Sequence, residues 1–97
     1  MRDTEGWIYT IHFDKPLGTA GRNAAWHYTG WAVELLGRLL EHRAGYGSKI
    51  MAEVQRRGIT WHVGHLQRGT FDDERRLKRH SASRRCWTCR ATGQGAR

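Results

Sequence analysis

The sequence predicts an α+β domain, a small three-stranded antiparallel sheet flanked by three helices. Three observations predict it. Residues 6–13 and 60–67 alternate apolar and polar side chains with period two, as strands do. Residues 32–44 and 49–57 switch to helical spacing. Gly, Pro, Asn and Asp gather between these blocks, where the chain must turn. With 97 residues the chain fits one domain, and the order strand, strand, helix, helix, strand, helix leaves the helices to cover the sheet.

The first strand sends Trp7, Tyr9, Ile11 and Phe13 one way and Ile8, Thr10 and His12 the other. Residues 14–25 carry loop chemistry. A second strand at 26–30, through Trp26, Tyr28 and Gly30, pairs antiparallel with the first. In the first helix Val33, Leu36 and Leu40 are expected to face the core, with Leu35 and Leu39 widening the stripe. Gly45 and Gly47 end it. Ser48 caps the second helix, whose Ile50, Met51 and Val54 face inward, and Gly58 stops it. The third strand follows, and Gly69 marks a turn. Thr70 then opens a short third helix, with Asp73 placed for a capping box. The pattern dissolves after Arg79. Residues 1–80 therefore read as the domain and 81–97 as a basic tail carrying Cys86-Trp87-Thr88-Cys89, mobile beyond Arg90.

Seventeen Lys and Arg against nine Asp and Glu leave a net charge of +8. Such a balance favours nucleic acid over an acidic membrane surface as partner. The start, Met1-Arg2-Asp3-Thr4-Glu5, lacks a signal-peptide apolar run, and no stretch approaches the ~20 apolar residues of a bilayer span. The chain reads as cytoplasmic, with Cys86 and Cys89 as thiols.

The residues with chemistry to offer are spread along the chain. Arg38 and His42 lie four apart on a helix face bordering Leu35 and Leu39. They read as a phosphate clamp beside an acid–base group, or as part of a solvated Glu34, Arg38, His42 row. Glu74 lies on the inward side of its helix, between Phe71 and Leu77. A carboxylate there binds a metal ion or pairs with Arg38, Arg75 or Lys78. Tyr9 and Tyr28 stand on neighbouring strands, as water-handling phenols or as core aromatics. The Cys86–Cys89 spacing is half a zinc site, with His80 the candidate third ligand. His12, His27, His62 and His65 show no ligand-like pairing.

Taken in order, these residues resemble the GIY-YIG nuclease family. Gly6-Trp7-Ile8-Tyr9 stands for its first motif and Tyr28-Thr29-Gly30 for its second. The family's arginine and histidine fall on Arg38 and His42, and its metal-binding glutamate on Glu74. The likeness spans about residues 6–80 and extends to small stand-alone members from high-GC bacteria and their phages, which also end in a basic stretch with a cysteine pair. Trp31 stands where the repair branch often has lysine. The usual asparagine after the last helix has no counterpart, Arg85, Cys86 and Trp87 occupying that region.

The resemblance implies a Mg²⁺-dependent (or Mn²⁺-dependent) endonuclease that nicks DNA. In it Glu74 anchors the metal, Tyr28 orients or deprotonates the attacking water, Tyr9 supports that water, Arg38 stabilises phosphoryl charge and His42 binds phosphate or moves a proton. A basic surface including Arg43, Lys49, Arg56, Arg57, Arg75, Arg76, Lys78, Arg79, Arg84 and Arg85 would supply phosphate contacts with little sequence specificity. A monomer or weak dimer is expected, with no small-molecule substrate. Two other readings stay open: a non-catalytic nucleic-acid-binding module of the same fold, and a small zinc-bound adaptor.

Overall fold

A computed structural model describes residues 4–18 and 25–92 of the chain. It contains β1 (Glu5–Leu17), β2 (Ala25–Ala32), α1 (Leu35–Arg43), α2 (Lys49–Arg56), β3 (Trp61–Thr70) and α3 (Phe71–Leu77). A 3₁₀ turn (Ala82–Arg84) and α4 (Trp87–Thr92) follow. The three strands form one antiparallel sheet in the order β2-β1-β3, so the expected α+β architecture is the one observed, with a fourth helix added.

β1 is the central strand and is buried on both faces. On one face Tyr9, Ile11 and Phe13 join Met51, Val54, Ile59 and Trp61, with Leu35 and Leu39 packed against them, so α1 and α2 cover this side. On the other face Ile8, Thr10 and His12 are equally buried. The ring of Phe71 in α3 packs edge-on against Trp31 at 5.9 Å, Arg85 donates to Thr10, and Cys86 meets His12. The sheet is thus the middle layer of three, which is why a 97-residue chain can bury a strand twice over.

Local signals set most boundaries. Ser48 Oγ accepts from Met51 N and opens α2. Thr70 and Asp73 form the reciprocal capping box that starts α3. Gly58 adopts φ +69° as α2 ends, a conformation side chains resist. α1 begins at Leu35 rather than 32, because Glu34 Oε1 caps it by accepting from Gly37 N at 2.7 Å and residues 31–32 still belong to β2.

The expected core stripe of α1 is corrected. Val33, Leu36 and Leu40 are exposed, Leu36 by 66%, whereas Leu35, Leu39 and His42 turn toward the sheet. The leucine pairs 35/36 and 39/40 offer two overlapping stripes, and the one that also buries His42 wins. Ile50 is likewise half exposed, while Met51 and Val54 carry the α2 contact.

Residues 81–92, set apart as a tail by composition, carry structure. Ser83, Cys86 and Cys89 are buried, and Cys86 and Cys89, three apart, both turn toward the sheet. Residues 93–97, where most of the expected mobile tail falls, lie outside the described residues, as do 19–24 of the first loop. No helix among the described residues is long and apolar enough to cross a membrane.

Candidate functional site

Tyr9 sits at the centre of a buried polar group. Its hydroxyl lies 2.7 Å from His42 Nε2. His42 Nδ1 lies 3.2 Å from the Tyr46 carbonyl, which can only accept. Nδ1 therefore carries the ring proton, Nε2 is bare, and the phenol donates to it. Burial first, then the Arg38 charge, pushes the His42 pKa down, so the ring stays neutral. Burial also pushes the Tyr9 phenol up to about 12, the Tyr28 and Glu74 charges adding to it while the nearby Arg38 guanidinium opposes. Gly30 makes this possible: a Cβ there would lie 2.5 Å from Tyr9 Cζ.

A cleft of about 380 Å³ opens beside this group, lined by Tyr28, Gly30, Trp31, Arg38, Phe71, Glu74, Arg75 and Lys78. It lies along β2, an edge strand, where the two faces of the sheet meet. That position lets Glu74, from α3 on one face, share a wall with Tyr28 and Arg38 from the other. Glu74 is 2% exposed, and its Oε2 lies 2.9 Å from Lys78 Nζ. Arg38 gives one guanidinium nitrogen to Glu41 at 3.0 Å and another to the Gly47 carbonyl at 3.3 Å. Its Nε is buried without a hydrogen-bond partner among the described residues. The cleft thus joins one phenol, one guanidinium and one carboxylate, with Arg75 and Lys78 at its wall.

Three of the five expected catalytic residues, Tyr28, Arg38 and Glu74, line one cleft, and the other two lie behind it. Tyr9 and His42 are fully buried, and neither lines the cleft. Tyr9 cannot touch a water in the cleft, and both His42 nitrogens are engaged internally, so His42 does not reach a phosphate. Both are tied into the fold behind the cleft: Tyr9 hydrogen-bonds His42, and the Tyr28 and His42 rings meet edge-on at 5.5 Å. The expected solvated row of Glu34, Arg38 and His42 is excluded by the burial of His42.

The basic residues divide similarly. Arg75 and Lys78 line the cleft, and Lys49, Arg79 and Arg84 are exposed. Arg43 stacks on the Trp61 ring at 4.8 Å, Arg76 pairs with Asp73, and Arg56 and Arg57 both pair with Glu53. Arg85 is spent inside the fold. Its Nε donates to Thr10 Oγ1 at 3.1 Å, and a terminal nitrogen donates to Thr29 Oγ1 at 2.7 Å.

A second constellation lies further along the same two strands, on the opposite face. His12 and His27 are cross-strand partners, and Cys86 and Cys89 meet them. One ligand atom from each of the four residues lies within 4.8 Å of every other, so the group could hold a metal ion. Burial and the neighbouring Cys86 push the Cys89 thiol up to about 11. Burial, then the His12 and Arg85 charges, pushes His27 down to about 4, leaving a neutral imidazole. His80, the expected partner of the cysteines, is exposed and outside this group. His12 and His27, which sequence reasoning passed over, take its place. The available signal was that a Cys-x-x-Cys pair needs two more ligands, and these histidines flank the first loop where the two strands of a hairpin can pair.

Compared with known protein families, with curated proteins and with solved structures, the chain matches none.

Proposed function

We propose that the chain is a divalent-metal-dependent endonuclease that hydrolyses DNA phosphodiester bonds by nicking, a small relative of the GIY-YIG nucleases. The observation that carries the reading is the meeting of Tyr28, Arg38 and Glu74 in one cleft, from elements 10 and 36 residues apart along the chain. The chain's charge of +8 supports a polyanionic substrate.

The donor set fits a hard cation. Glu74 is a buried carboxylate at the cleft wall, and it already attracts one cation, the Lys78 ammonium. A single carboxylate completed by waters and phosphate oxygens is an ordinary way to hold Mg²⁺. When bound, the ion would polarise the phosphate and neutralise charge building on the leaving oxygen. The chain's own residues supply the rest. Arg38 presents its guanidinium to the phosphate and stabilises the charge that develops there. Tyr28, the phenol that faces the cleft, orients the attacking water. Tyr9 and His42 hold Arg38 and Tyr28 in place from below. Lys78, at the cleft wall, would be a second partner for the phosphate.

A non-catalytic nucleic-acid-binding module is the second reading. The Glu74–Lys78 and Arg38–Glu41 pairs favour it, because both key side chains already have opposite-charge partners within the chain. Incubation with supercoiled plasmid, with and without added Mg²⁺, separates the two. Nicking is expected only with Mg²⁺, and Arg38→Ala and Glu74→Gln are each expected to lower its rate by about 10²–10³-fold with an unchanged circular-dichroism spectrum. Binding without nicking by all three proteins would favour the module.

A further inference from the structure

We propose that His12, His27, Cys86 and Cys89 form a closed tetrahedral zinc site that fastens the C-terminal segment to the sheet. The argument begins with the spacing of the four ligand atoms. A tetrahedral ion with bonds of about 2.3 Å to sulfur and about 2.05 Å to nitrogen sets its ligands roughly 3.3 Å apart for two nitrogens and roughly 3.5 Å apart for nitrogen and sulfur. His12 Nδ1 and His27 Nε2 are 3.3 Å apart. His12 Nδ1 lies 3.5 Å from Cys86 Sγ and 3.6 Å from Cys89 Sγ, and His27 Nε2 lies 3.2 Å from Cys89 Sγ. These four match edges of such a tetrahedron, and the remaining two pairs lie within 4.8 Å.

Hydrogen bonding alone does not account for the cluster. A ring nitrogen offers one proton or one lone pair, yet His12 Nδ1 faces three of its neighbours at once. Ligation by a shared central ion satisfies all four atoms together. The donor types select the ion. Two thiolates and two imidazoles suit zinc and not magnesium, which takes hard oxygen ligands, so this centre is chemically distinct from Glu74. Four protein ligands leave no position for water or substrate, which marks a structural rather than a catalytic site.

The surrounding chain is shaped to this group. β3 carries an extra residue opposite β1, where Thr10 pairs with His65 and Ile11 with Val63. The bulged residue is Gly64, and a Cβ there would lie 2.6 Å from Cys86 Sγ. The ligands come from β1, β2 and the C-terminal segment, so one ion ties three elements together. Cys86 also fixes its neighbour Arg85, whose guanidinium bridges Thr10 and Thr29.

Elemental analysis of the full chain, purified without a polyhistidine tag and under reducing conditions, tests this directly. One zinc per chain is expected. Exchange with Co²⁺ is expected to give the intense ligand-field bands of a tetrahedral site with a thiolate charge-transfer band. Cys89→Ser and His27→Ala are expected to lose more than ~100-fold in zinc affinity, since disturbing even the partners of ligands costs 10–100-fold, whereas His80→Ala retains it. Should either variant fail to fold, chelator titration of the native chain gives the same answer: its melting temperature is expected to fall and to recover on adding Zn²⁺. The proposal is overturned by no metal uptake from Zn²⁺ under reducing conditions, by an octahedral Co²⁺ spectrum, or by full zinc retention in Cys89→Ser. None of these readouts involves cleavage, so the site stands or falls independently of the nuclease reading.

Discussion

The cleft and the His/Cys cluster are built on the same two strands, yet they are chemical opposites. The cleft takes Tyr28 from β2 and leans on Tyr9 from β1. The cluster takes His27 from β2 and His12 from β1. Alternation along a strand sends these side chains to opposite faces, so neighbouring positions feed different layers. The cleft is open, hard and charged, with its carboxylate and guanidinium held by exchangeable ion pairs. The cluster is buried, and its soft donors are closed on one another. On the proposed assignments, one hairpin would serve two metal chemistries without their competing for the same ion.

A glycine makes room for the key atom in each region, and this gives the sharpest test of their independence. Gly30 clears space for the Tyr9 ring and Gly64 for the Cys86 sulfur. Gly30→Ala is expected to destabilise the fold by about 1–3 kcal/mol through overpacking and to abolish nicking while zinc is retained. Gly64→Ala is expected to cost a similar amount and to weaken zinc binding instead. Melting curves, metal content and plasmid nicking read on both variants check this. Equal loss of both properties in either variant would break the separation.

A smaller effect is expected from Tyr9→Phe, which leaves His42 Nε2 without its donor at a cost of about 1–3 kcal/mol near neutral pH. The pH dependence has a definite sign. The folded-state pKa of Tyr9 is raised, from 10.0 to about 12, so its contribution is fully present below pH 10 and is lost as pH rises toward 12. Urea melts of native chain across that window are expected to lose stability on the order of 2 kcal/mol, at ~1.4 kcal/mol per unit. The Tyr9→Phe variant should show a flatter alkaline limb.

The smallest effect belongs to Thr70→Ala. Loss of the cap that opens α3 should cost about 1 kcal/mol. Because Glu74 rides on that helix, the same variant should need more Mg²⁺ for half-maximal nicking, with no change in zinc content.

Much of the fold was legible because its signals are local. The capping box of Thr70 and Asp73, the Ser48 cap and the period-two runs each depend on residues a few positions apart. The inward turn of Glu74 was legible for the same reason, from its placement between Phe71 and Leu77. The rest depended on long-range pairing. Which leucine stripe of α1 faces inward is degenerate until His42 finds Tyr9, 33 residues away. His12 and His27 become partners only once the register across the first loop is set. Thr10 and His12 look like the wet side of a strand, and they are buried because residues 82–92 fold back over them. A composition rich in Ser, Arg and Thr gives no sign that this segment will do so.

The cysteine ligands have a consequence for the order of events during synthesis. Cys89 follows His12 by 77 residues, so both histidines can be paired on the β hairpin long before the second thiol leaves the ribosome. The nascent sheet must wait with Thr10 and His12 uncovered beside α3, and that layer is completed only when the late-arriving segment docks. Supply of the ion at that moment, rather than the strength of any one contact, would decide how quickly a new copy matures.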